Sequence, residues 1–420
     1  MKVKLSPSKL NGTVDAPASK SCLHRALICA AAADKETKIF ASSFSKDIKA
    51  TISCLNSLGA RFEYGEGSIT VYPIEKTDEE CILDCNESGS TLRFMLPFAA
   101  ALGRKSTFVG SQRLGERPLL PLCKVLSENG VKVSYGKSFL PCTISGRLTR
   151  GTYETEGNIS SQFITGLLLA LGVLGGGKIY STTPLESASY IDITTDIQKI
   201  FGIETEQKEN SFIIPEGQKY TSPSYFKAEG DYSNGAFFLV AGALSSEDGL
   251  TVTSLFEKTC QGDKAVVDVL MKMGAKIARD EDKITVFKSE LKAVEIDCSD
   301  IPDLVPILCV AASAAEGTSV FRNINRLRMK ESDRVQTTAD MLISLGGKIE
   351  FDENNIYVTG ASLKGGTVSS ANDHRIAMSA AVASLICEGD VITEDAQAVE
   401  KSYGDFYEKF IELGGKCSEL

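Results

Sequence analysis

Histidine is nearly absent from this chain: His24 and His374 are the only two in 420 residues. That scarcity excludes a histidine-rich zinc site and leaves little support for a histidine-based catalytic triad. Twelve cysteines are present, but none stands in a CxxC pair. Cys22, Cys29 and Cys309 fall in apolar helical runs, where cysteine serves as a small hydrophobe. A disulfide framework is not expected in a chain of this length without secretion signals. The longest apolar stretch, over residues 166–177, is too short to span a bilayer and is broken by glycine. The first residues, MKVKLSPSKLNGTV, are polar and alternating, and read as a strand rather than a signal peptide. A soluble, cytoplasmic protein with no membrane partner is expected. An excess of positive charge is also missing. The net charge of −10 argues against a nucleic-acid binder. A small anionic ligand stays open, because a local basic cluster in a cleft outweighs the global field.

What the chain does have is repetition. LNSLGARFEY, with Gly59, returns as LSENGVKVSY at Gly130 and IFGIETE at Gly202. It recurs as LMKMGAKIAR at Gly274, LISLGGKIEF at Gly346 and FIELGGK at Gly414, about 70 residues apart each time. Each copy ends a helix, places glycine at the left-handed closing position, and then alternates as a strand. Several copies run through a polar turn into a second strand, as in KIARDEDKITVF. Upstream in a copy lies another helical stretch, such as HRALICAAAA or GAFFLVAGALSS. Six such α/β units divide into two sets of three, and no proline- or serine-rich linker separates them. Two lobes meeting at a cleft are therefore expected. The shared Leu and Gly are scaffold; chemistry is to be sought where the copies differ.

They differ at helix starts. Lys20, Ser21 and Arg25 surround the start of the first long helix, where free N–H groups and the helix dipole already favour an anion. Ser21 alone would be an ordinary cap. Glu87-Ser88-Gly89-Ser90-Thr91 puts glycine beside hydroxyls at another helix start, allowing close backbone approach. Arg117 ends a polar loop before Pro118. Ser160, Ser161 and Gln162 precede an apolar helix. Asp303 precedes another, and Asn372-Asp373-His374-Arg375 opens an alanine-rich one. Lys401 stands before the last helix. The densest basic run is Arg322 to Arg334, RNINRLRMKESDR. Lys330 and Arg334 are four apart, so on a helix they share a face and repel unless an anion sits between them. Gly172 to Ile179 nearly matches a phosphate loop, but it ends in Ile and follows a helix, so it reads as a helix stop.

Together, KSCLHRA, ESGSTLR, GERP, SSQF, SYIDIT, EGDYSNGAFF, IPD, LRMKESDR, NDHRIAM and EKSYGDF resemble, in order and over essentially the whole chain, the EPSP synthase family of 3-phosphoshikimate 1-carboxyvinyltransferases. The resemblance implies an inside-out α/β barrel of two lobes, each of three βαβαββ units, with the active site in the interlobe cleft. Residues 13–229 would form the N-terminal lobe, and residues 1–12 plus 230–420 the C-terminal lobe. The implied reaction moves the enolpyruvyl group of phosphoenolpyruvate to the 5-hydroxyl of shikimate 3-phosphate, with no metal and no cofactor, in a monomer. By motif, Lys20, Ser21, Arg25, Ser160, Ser161, Gln162, Ser187, Tyr190, Asp303 and Lys330 would meet shikimate 3-phosphate. Lys20, Gly89, Arg117, Arg334, Arg375 and Lys401 would meet phosphoenolpyruvate. Asp303 would be the base and Glu331 the proton donor, with Lys20 also in the catalytic set.

The chain departs from the family at Ala18 and His24, where glycine and asparagine are familiar, and at ESGSTLR, often NAGTAMR. The loop change bears on glyphosate sensitivity more than on catalysis. Arg326 stands where some members have asparagine and is left outside the site. Two rivals remain. One is a UDP-N-acetylglucosamine enolpyruvyl transferase, which relies on a loop cysteine that SQRLGERPLL lacks. The other is a non-catalytic, anion-binding repeat scaffold.

Overall fold

The computed structural model describes residues 1–75 and 80–420. The chain divides into two compact units: Ala18–Ala228, and Met1–Pro17 with Glu229–Leu420. The first crossing thus falls after Pro17, not at the expected 12/13 boundary. The physical reason is a ladder: Gly12–Asp15 is a strand that pairs in parallel with Leu250–Thr253, so it belongs with the later half of the chain.

Among the described residues, each unit contains three four-stranded sheets with the same internal order. One copy shows the plan. Strand Cys81–Asp84 leads through helix Gly89–Leu102 to strand Ser106–Val109, which pairs with it in parallel. Helix Leu120–Glu128 follows, then strands Val131–Tyr135 and Cys142–Gly146. The last of these inserts antiparallel between its two neighbours. The sequence of elements is βαβαββ, as the family resemblance implies. Two further sheets are completed from a distance. Tyr225–Lys227 supplies the parallel edge strand beside Thr37–Phe40. The chain start, Lys2–Ser6, inserts between Val391–Glu394 and Lys416–Glu419.

The six repeat glycines all have φ between 82° and 105°. A side chain at those positions would be strained, which explains why the repeat keeps glycine there. In the phosphate-loop look-alike, Gly175 caps helix Ser161–Leu174 at φ 74°, and strand Gly177–Ser181 follows. It is a helix stop.

Three inner helices lie in each unit: Lys20–Ala31, Gly89–Leu102 and Ser161–Leu174 in one, and Tyr232–Ser245, Val305–Ser313 and His374–Ser384 in the other. Nearly every residue on them is buried, as their all-round apolar composition requires. Gly166 lets the second and third pack closely, since a Cβ there would overlap the Arg93 carbonyl oxygen. Among the described residues, no helix is long and apolar enough to cross a membrane. No disulfide joins the cysteines, and Cys22, Cys29 and Cys309 are buried.

Candidate active site

Many candidate residues sit at or just before the starts of the inner helices, the others in the turns and helix starts beside them, and each unit assembles its own set. In the unit Ala18–Ala228, Ser19 caps the first inner helix by accepting from the Cys22 N–H at 3.4 Å. Ser21 is therefore not the cap; it lies one residue inside the helix. Lys20, the first helical residue, reaches Asp47 at 2.9 Å on helix Lys46–Ser57. Ser88 caps the second inner helix. Its next residue, Gly89, lies under Arg117: a Cβ on Gly89 would come within 2.6 Å of the Arg117 Nη1. The bare backbone is what allows a guanidinium to lie against that helix start.

Ser160 caps the third inner helix, and Ser161 and Gln162 begin it. The Gln162 amide is fully directed. It accepts from Arg93 Nη1 at 2.6 Å and donates to Ser90 Oγ at 2.9 Å. Arg25 is 2% exposed and donates to Thr194 Oγ1, Ser21 O, Thr165 Oγ1 and Tyr190 O. It thereby ties Ser21 to the segment holding Tyr190 and Ser187, the latter in a left-handed turn at φ 53°. Burial pushes the Arg25 guanidinium down to about 10, so it stays charged at neutral pH. His24 binds the Thr51 hydroxyl through Nδ1 at 2.7 Å and stacks edge-on against Phe94. Burial, then Lys20 and Arg25, hold it well below the usual imidazole range, so it is neutral. Thr51 continues to Thr91, which also reaches the Asp47 carbonyl and Ser88 Oγ. His24 is thus a buried strut between the first three helix starts.

In the other unit, Asp303 lies in the 3-10 turn Pro302–Leu304, just ahead of helix Val305–Ser313. Its carboxylate meets three cations: Lys330 at 3.0 Å, Arg334 at 2.8 Å and Arg375 at 3.4 Å. Burial would raise its pKa, but Lys330, Arg375 and Arg334 outweigh burial and hold Asp303 well below the usual carboxylate range. Burial lowers Lys330, Asp303 opposes that, and Arg334 and Arg326 add to the lowering. Lys330 and Arg334 do not share a helix face. Lys330 is an extended residue after the 3-10 turn Asn325–Met329, and the helix starts only at Arg334. The anion needed between the two cations is nevertheless there, and it is Asp303.

Arg334 is almost wholly enclosed. It binds Asp373 through Nε at 2.8 Å and Glu331 through Nη2 at 2.7 Å. Burial lowers its pKa, but Asp373, Glu331 and Asp303 outweigh that and raise it. Asp373 also caps the helix that carries Arg375. Arg375 donates to the Ser233 carbonyl at 2.8 Å and lies over the Phe237 ring. Lys401 donates to the Asn372 carbonyl at 2.5 Å.

So Lys20 with Asp47, Gly89 with Arg117, Ser21 with Arg25 and Tyr190, and Asp303 with Lys330, Arg334, Glu331 and Arg375 are brought together. The sequence reading left out Arg93, Asp47, Asp373 and Thr194. Arg93 and Asp373 lay inside motifs already quoted. Thr194 likewise closes SYIDIT. Asp47 carries no local signal; only the packing of one helix against another reveals it. Among the described residues, no cluster of three or more His, Cys, Asp or Glu side chains is placed to hold a metal ion.

Two sets of charged and polar side chains near helix starts thus stand on βαβαββ units, one set in each unit. The fold matches that of EPSP synthase from Acinetobacter baumannii, with a TM-score of 0.84 at 24% identity over 100% of both chains. It also matches the enolpyruvyl transferase NikO from Streptomyces tendae, with a TM-score of 0.80 at 18% identity over 100% of this chain and 98% of that one. At the level of sequence, residues 5–410 match the family model of EPSP synthase (3-phosphoshikimate 1-carboxyvinyltransferase). The 3-phosphoshikimate 1-carboxyvinyltransferases of Clostridium novyi and Clostridium beijerinckii are each 43% identical, over 99% of this chain and 98% of theirs. The chain belongs to the EPSP synthase family of transferases.

Proposed function

We propose that the protein transfers the enolpyruvyl group of phosphoenolpyruvate to the 5-hydroxyl of shikimate 3-phosphate, forming 5-enolpyruvylshikimate 3-phosphate and phosphate. The observation that carries this reading is Asp303, a carboxylate kept ionised by Lys330, Arg334 and Arg375. Such a group suits a base that takes the proton of an attacking hydroxyl while cations gather anionic substrates around it.

Phosphoenolpyruvate meets Lys20, Gly89, Arg117, Arg334, Arg375 and Lys401. Shikimate 3-phosphate meets Lys20, Ser21, Arg25, Ser160, Ser161, Gln162, Ser187, Tyr190, Asp303 and Lys330. Charge-assisted hydrogen bonds contribute roughly 1.5–3 kcal/mol each, so three or four anchor one phosphate against its hydration. In the first step the 5-oxygen bonds to C2 of phosphoenolpyruvate, its proton passes to Asp303, and Glu331 protonates C3 to a methyl group. In the second, the methyl returns a proton to Glu331, the C2–O bond to phosphate breaks, the phosphate leaves with the proton from Asp303, and the double bond returns. Glu331 starts from its ion pair with Arg334, which must loosen before Glu331 carries a proton. Lys20 and Lys330 stabilise the charge that moves to the phosphate and the attacking oxygen. The enzyme acts as a monomer in the cytoplasm.

The test is phosphate release from the purified protein with phosphoenolpyruvate and shikimate 3-phosphate. Release is expected. A folded protein that releases none, or releases phosphate only with UDP-N-acetylglucosamine, overturns the proposal. Against that rival, the segment from Ser111 to Leu120 holds no cysteine.

A further inference from the structure

One buried carboxyl near the base has no part in the steps above. Asp263 lies in the 3-10 turn Gly262–Lys264 and is 3% exposed. Its Oδ2 accepts from the Ser233 hydroxyl. Among the described residues, its Oδ1 has no hydrogen-bond partner. Ser233 is the second residue of the inner helix Tyr232–Ser245, and its carbonyl is the acceptor for Arg375 Nη1 at 2.8 Å. The other terminal nitrogen of Arg375 faces Asp303 at 3.4 Å. The chain of contacts therefore runs Asp263, Ser233, Arg375, Asp303.

The turn is stitched to the same helix start at two further points. Gln261 accepts from the Tyr232 N–H at 3.0 Å and donates to the Gly230 carbonyl at 2.8 Å. Those bonds fix the backbone. They do not require an ionisable group at the next position but one, where a polar neutral residue would bond Ser233 equally well. A buried carboxyl with one oxygen unsatisfied costs stability, so its presence calls for an explanation.

We propose that Asp263 is a positioning residue for the transfer, holding Ser233 so that its carbonyl keeps Arg375 against Asp303. This rests on the reading of Asp303 as the base. The surrounding charges agree with it. Burial, then Asp303, and also Asp231, push the Asp263 carboxyl up, against Arg375 and the Ser233 hydrogen bond, to about 7. Asp263 thus changes charge near neutral pH. Charged, it competes with Asp303 for Arg375 and repels Asp303. Neutral, it leaves Arg375 to Asp303 and the substrate. Arg375 comes from helix His374–Ser384, Asp303 from the turn Pro302–Leu304, and Asp231 caps the helix carrying Ser233.

The experiment compares steady-state kinetics of the wild type, Asp263→Ala and Asp263→Asn from pH 5.5 to 9. Asp263→Ala is expected to raise KM for phosphoenolpyruvate about tenfold or more, a loss of about 1.4 kcal/mol of binding. Asp263→Asn keeps an acceptor for Ser233 and is expected to recover most of that loss at pH 6. It is also expected to abolish a limb near pH 7 in the wild-type kcat/KM profile. Wild-type KM in Asp263→Ala overturns the proposal, and so does a limb that survives in Asp263→Asn. If Asp263→Ala fails to fold, the Asp263→Asn profile decides alone. A wild type without phosphate release would instead sink the assigned reaction, so the two failures are distinct.

Discussion

Two carboxyls only one arginine apart respond oppositely to their surroundings. Asp303 is held well below its ordinary range, so it stays ionised through any working pH. Its contribution to stability is present above the unfolded carboxylate value and is lost only as pH falls through the depressed one. Asp263 is raised from 3.8 to about 7. Its folded form holds the proton more tightly, so stability from this group is lost as pH rises across that interval. Wild-type Tm is expected to fall over that window more than the Tm of Asp263→Asn; parallel curves by differential scanning calorimetry would contradict this. Replacing Asp303 with Ala removes the proposed base. The expected loss of kcat is about 10²–10⁴-fold, with both substrates still bound by isothermal titration calorimetry. Unchanged turnover would remove Asp303 from the mechanism.

Among elements, the inner helices do two jobs. Their apolar sides build each core, and their starts carry several of the candidate site residues. Gly89→Ala brings a methyl group to 2.6 Å from the Arg117 guanidinium. The flexible end of Arg117 can shift, so the expected result is a several-fold rise in KM for phosphoenolpyruvate with little change in Tm. Gly166→Ala tests the other job. There the obstacle is the Arg93 backbone, which cannot swing aside. A destabilisation of about 1–3 kcal/mol is expected by urea unfolding, the usual cost of overpacking. The contrast between a yielding side chain and an unyielding backbone is the physical content of the two predictions. Much at this level was visible in the chain. Ser160-Ser161-Gln162 before an apolar run announced a helix start. The basic run through Lys330 and Arg334 announced an anion between them. The helix face that Lys330 and Arg334 would share does not form, because Lys330 is extended after the turn Asn325–Met329 and Asp333 caps a helix that starts at Arg334.

For the whole molecule, the chain crosses between its two units twice, and its first strand completes its last repeat. Lys2–Ser6 is an interior strand with a partner on each side. Deleting residues 1–6 is expected to expose Lys416–Glu419 and to unfold the unit that contains it, whereas deleting 418–420 trims only an edge. Circular dichroism and limited proteolysis would read the difference. The repeat of Leu and Gly was enough to count six units and to locate the helix ends, because a left-handed residue and a change of period are local requirements. It was also enough, with the motifs between the copies, to point to the family. Three things were decided only on folding. Asp303 acquires its charge state from Lys330, Arg334 and Arg375, which lie 27 to 72 positions away along the chain. Gly12–Asp15 joins a strand more than 230 positions later. Asp263 gains a bearing on Arg375 through the backbone of a third element. Local conformation follows from neighbours in the chain, while the energy of a buried charge follows from neighbours in space.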